Sequence, residues 1–106
     1  MTNPIANGID ALFTSSTWES KMNDAFERGV YDSNAFENDT IWQDIKTTVN
    51  AFMAQAMAGG HVSSFTITLA SIATTCDGGC LEAAFVVSWN DNTGLWAHPI
   101  NLMSAY

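Results

Sequence analysis

The chain has 106 residues, the length of one domain, and its 47% hydrophobic share can fill one core. Eleven Asp and Glu stand against three Lys and Arg, a net charge of −8, which excludes nucleic acid and anionic membrane surfaces as partners held by clustered basic side chains. Four Trp, six Phe and two Tyr exclude an acidic disordered tail, which has few aromatic residues.

Residues 1–60 read as helical. Asn3 can cap a helix whose first position is Pro4, where a missing N–H removes no helix bond. Ile5, Ile9, Leu12 and Phe13 follow at helical spacing, interrupted by Gly8. Residues 14–17 are all hydroxyl side chains, which compete for backbone groups and break the pattern. Ser16 with Glu19 has the spacing of a capping box, Trp18, Met22, Ala25 and Phe26 form a stripe, and Gly29 is a natural stop. Residues 30–38 are rich in turn formers and predict a loop. Thr40 with Gln43 repeats the capping-box spacing. Behind it comes the longest stripe, Ile41, Trp42, Ile45, Val49, Phe52, Met53, Ala56 and Met57, closed by Gly59 and Gly60.

Residues 61–106 predict a three-stranded antiparallel meander. The first strand alternates over 62–75 and the second over 81–89, with Asp77-Gly78-Gly79 as the hairpin turn between them. Residues 90–94 make the second turn, and 95–103 the last strand, an edge because Pro99 cannot donate to a ladder. Placing Cys76 opposite Cys80 sets Leu69 against Val87; placing Trp89 opposite Trp96 sets Val87 against His98. The inner face then holds Phe65, Ile67, Leu69, Phe85, Val87, Trp89, Trp96, Ile100 and Leu102, under the helices. The outer face holds Thr66, Thr68, Ala70, Ile72, Ala84, Val86, Ser88, Ala97, Pro99 and Met103, with Glu82 as its one charge. A slip of one residue would exchange the faces.

The chemistry of single residues is sparse. Cys76 and Cys80 can form a disulfide across the turn, closing a very short loop. In a reducing compartment the same pair stays as thiols, and that is the expectation for this chain. Zinc would need two more ligands, so no metal is expected; no cofactor motif is present either. Trp89, Trp96 and His98 could line a pocket between helices and sheet. His98 as a general base would need a carboxylate, and Asp91 and Glu82 are the nearest by sequence. Eight acids of the first half (Asp10, Glu19, Asp24, Glu27, Asp32, Glu37, Asp39 and Asp44) read as a solvated helix face. The sharper reading is a nucleic-acid mimic, of the kind used by small phage-encoded inhibitors of host proteins.

The sixty residues from Thr47 to Tyr106 carry only Asp77, Glu82 and Asp91 as charges. A strand-rich half so poor in charge is either buried or offered to a partner. The expected fold is a single α+β domain, with two or three N-terminal helices packed on one face of the meander. The expected function is a non-enzymatic protein-binding or assembly module, a homo-oligomer or the ligand of another protein, acting through the outer sheet face. A virion component and a host-directed inhibitor both belong to this class. The alternative is a small enzyme or ligand-binding protein using the Trp and His pocket, completed across a dimer. The start lacks a basic n-region and an apolar h-region, and no apolar run reaches about 18 residues. The expected location is therefore cytoplasmic, in its own cell or a host's.

Overall fold

A computed structural model describes residues 3–104. Four helices precede one sheet among these residues: α1 (Pro4–Leu12), α2 (Ser16–Glu27), α3 (Ser33–Glu37) and α4 (Thr40–Ala58), then β1 (Ser64–Thr75), β2 (Cys80–Asp91) and β3 (Gly94–Met103). The strands are antiparallel and ordered β1-β2-β3, so the architecture is α+β with the helices first.

The helix ends follow from local chemistry. The Asn3 side chain accepts from the amides of Ile5 and Ala6, with Pro4 at the first position. The next two long helices start one residue before the expected caps. Ser15, not Ser16, caps α2 through the Thr17 amide, and Asp39, not Thr40, caps α4 through the Ile41 amide. In both places the preceding residue carries an equally good oxygen acceptor. Both helices end on glycine at positive φ, Gly29 at 87° and Gly60 at 76°. The amide of Val30 then closes on the Ala25 carbonyl, and that of His61 on the Ala56 carbonyl. The predicted loop over 30–38 is partly wrong. Asp32 caps a five-residue helix by accepting from the Ala35 amide, and Phe36 on it is fully buried. That one apolar anchor holds a helix too short to show a period.

The helices cover one face of the sheet. α4 and α3 lie against β1, α2 crosses β2 and β3, and α1 packs on α4. Gly8 is where α1 approaches α4: a Cβ there would stand 2.3 Å from the ring tip of Phe52. The glycine that interrupts the pattern therefore makes room for a neighbouring ring. The central strand supplies the middle of the core, with Leu81, Ala83, Phe85, Val87 and Trp89 all buried. Trp42 meets Phe85 edge-on at 6.1 Å, and Phe13 meets the same ring at 5.3 Å.

The β2–β3 register is the expected one, with Trp89 opposite Trp96 and Val87 opposite His98. The β1–β2 register is not. Thr75, not Cys76, faces Cys80, and Leu69 faces Phe85, not Val87. Two shifts of one residue explain the outcome. The turn has four residues, 76–79, with Cys76, Asp77 and Gly78 all at positive φ. A bulge at Ala70, between Leu69 and Ser71, then shifts the strand again. From Ser64 to Leu69 the shifts restore the expected faces. Between bulge and turn they do not, and Ile72 lies opposite Ala83, packed against the core.

Candidate functional site

Two surfaces stand out. The first is the sheet face away from the helices. Thr66 pairs with Ser88 and Thr68 with Val86 across β1 and β2; Ala84, Val86 and Ser88 pair with Asn101, Pro99 and Ala97 across β2 and β3. On the central strand Ala84, Val86 and Ser88 are only half-buried, although each has a strand on both sides. Met103, opposite Glu82, is 45% exposed. Glu82 is the one charged residue at this face, as the alternation implies. Two expected members differ. Ile72 points to the core side, and Ala70 is the bulge residue, with no partner on β2. The alternation also missed Leu95, opposite Asn90 and 76% exposed. Extending the β3 period one step back from Ala97 would have found it.

The second surface is a groove of about 500 Å³ at the rim of the covered face, lined by Asn3, Pro4, Ile5, His61, Trp96 and the turn residues 91–93. The turn is a small hydrogen-bonded knot. Asp91 Oδ1 accepts from the Thr93 amide at 2.7 Å, the Thr93 hydroxyl at 2.6 Å and the Trp96 indole N–H at 3.1 Å. These donors, the Thr93 hydroxyl foremost, hold the Asp91 carboxyl below its ordinary range; the Trp89 N–H adds the weakest pull. That N–H is buried and not aligned for a hydrogen bond of its own with any described residue. The Trp89 and Trp96 rings stack at 6.4 Å and 9° between planes. Of the three residues expected to share a pocket, Trp96 lines the groove, Trp89 lies behind it, and His98 is not part of the lining. The sequence could not bring residues 3–5 to residues 91–93; only the closed fold does so.

His98 has a carboxylate partner, but neither of those expected. Its Nε2 lies 2.7 Å from Asp10 Oδ1, 88 residues away on α1. No hydroxyl or thiol bonds to His98 among the described residues, so the pair fastens α1 to β3. Other first-half acids also have structural partners. Asp39 takes a two-pronged bond from Arg28 at 2.9 and 2.6 Å, Asp44 pairs with Lys21 at 3.0 Å, and Asp32 caps α3. The Arg28 hydrogen bonds hold Asp39 below the usual carboxylate range, against the burial that would raise it. Cys76 and Cys80 are joined as a disulfide, not free thiols; the four-residue turn brings their Cα atoms to 5.4 Å although they are not ladder partners. No group of three or more His, Cys, Asp or Glu suited to a metal occurs among the described residues, and no helix there is long and apolar enough to cross a membrane.

No family model, curated protein or solved structure matches the chain.

Proposed function

We propose that this protein is a non-enzymatic assembly module whose chains pair back to back through the outer face of the sheet. The observation that supports this reading most is that the face carries one charge, Glu82, across three strands of ten to twelve residues. At about 3.3 Å per residue and about 4.8 Å between strands, its outline is about 500 Å² before side-chain relief, approaching the ~800 Å² per partner of a standard interface. Its small side chains, Thr, Ser and Ala, suit two sheets packed about 10 Å apart.

Charge selects the occupant. The helical half carries eight acids against three bases, so two copies repel everywhere except across this neutral face. Back-to-back pairing also sets the acidic helical layers on opposite outer sides. Edge pairing is opposed on β1 by the bulge at Ala70, which interrupts that edge, and on β3 by Pro99, which has no N–H to donate. Self-pairing of this kind suits a virion or other assembly component. An acidic inhibitor is the weaker reading, because Asp10, Asp32, Asp39 and Asp44 already hold the fold together.

Light scattering joined to native mass spectrometry tests the pairing. The wild-type chain is expected as a dimer, and Thr68→Lys or Val86→Lys as a folded monomer. A wild-type monomer at high concentration would overturn the proposal.

A further inference from the structure

We infer that the groove at the β2–β3 turn is a subsite for an arginine side chain presented by an extended basic segment of a partner protein. This site lies on the helix-covered side of the sheet and does not depend on the back-to-back pairing.

The four tryptophans set up the argument. Trp18 carries Lys21 Nζ over its ring at 5.8 Å, and Trp42 carries Lys46 Nζ at 5.8 Å. Trp89 is buried and stacked against Trp96. Trp96 alone is substantially open, 39% exposed, lines the groove, and has no cation over it among the described residues. A tryptophan face is the strongest aromatic partner for a cation. The carboxylate beside it is equally unmatched. Asp91 has no basic partner among the described residues, and its aligned hydrogen bonds there all fall on Oδ1, with only the weak pull of the Trp89 N–H besides. No Lys or Arg lines the groove. Lys21 and Arg28 are held by Asp44 and Asp39, and Lys46 lies over Trp42.

The shape of the chemistry favours guanidinium over ammonium. A planar guanidinium stacks on an indole and turns its N–H edge to a carboxylate at the same time; a compact ammonium cannot do both. Pro4 and Ile5 offer apolar contact to the side chain's methylenes. The groove is open and has one carboxylate, so it seats one side chain while the peptide runs on past. The net charge of −8 draws a basic segment toward it.

The test is a titration of the isotope-labelled full chain, in low-salt buffer, followed at the four indole N–H resonances. The probe is a blocked pentapeptide with a central arginine; companions carry citrulline or lysine, and argininamide is added alone. The arginine peptide should shift the Trp96 indole saturably, with a dissociation constant of about 1 mM or tighter. Citrulline keeps the shape and loses the charge, and should bind about tenfold more weakly. Asp91→Asn should weaken the arginine peptide by about the same factor, with the Trp18 and Trp42 resonances in place to show that the fold persists. Equal binding of arginine and citrulline peptides, or no saturable Trp96 shift by about 10 mM, would overturn the assignment. So would argininamide binding as tightly as the peptide, because the occupant would then be a small guanidinium compound. The citrulline comparison changes only the ligand, so it decides even if Asp91→Asn loosens the turn.

Discussion

Trp42 is the residue on which the helical layer turns. It is 6% exposed, edge-on to Phe85 across the helix–sheet interface, with Phe36 at 6.0 Å. Trp42→Ala leaves a cavity that these rings cannot close, and should lower stability by about 3–5 kcal/mol. A domain of this kind has about 5–15 kcal/mol in all, so the variant should melt far earlier in a thermal scan. Its place under the sheet was legible from the apolar stripe. Asp39 carries a second, pH-dependent contribution. It caps α4 and binds Arg28, and its carboxyl is held below its unfolded value of about 3.9. A lowered folded pKa adds stability that is complete above the unfolded value and lost as pH falls through the folded one. Asp39→Asn keeps a good cap and removes the charge. It should lower stability by about 0.5–1 kcal/mol at pH 7, the pair being partly exposed, and in urea titrations the deficit should shrink progressively as pH falls below the unfolded value of about 3.9. Neither the Asp39–Arg28 pair nor the Asp10–His98 pair could be read from sequence, because each joins residues that no local pattern relates.

At the scale of elements, period and punctuation made three helices and three strands legible, and the failures were failures of count. The caps at Ser15 and Asp39 each lie one position early because neighbouring residues compete as acceptors. The hairpin turn has one residue more than the Cys76–Cys80 pairing implied, and the Ala70 bulge adds another. A strand has period two, so each slip exchanges faces and both together restore them. Ile72 lies between the two slips and is the residue that changes sides. The consequence can be measured. Compared at a dilution where the chain is monomeric, Ile72→Lys puts a charge against the core and should lower stability by about 2–4 kcal/mol, whereas Thr68→Lys, on the exposed side, should change it by less than about 0.5 kcal/mol. Equal urea midpoints for the two variants would place Ile72 outside. The disulfide bears on the same hairpin. It ties Cys76, at the start of the turn, to Cys80, which is buried beside Leu81.

For the whole molecule, the distribution of charge was the most legible feature and the closed fold gives it a location. The described residues span 43 × 27 × 21 Å, with acids concentrated on the helical side and the neutral face of the sheet opposite. The rim groove was not legible, since it joins the start of α1 to the turn before β3. With three basic residues, all engaged within the fold, the chain has little to replace the counterions of a phosphate backbone. Random duplex DNA at micromolar concentration should therefore show no salt-dependent binding. The pairing itself is tested most directly by native mass spectrometry with light scattering on the wild-type chain and Val86→Lys, both checked for fold by circular dichroism. Back-to-back pairing requires a wild-type dimer and a folded Val86→Lys monomer. A wild-type chain that stays monomeric at high concentration, or a Val86→Lys chain that stays dimeric, would contradict it.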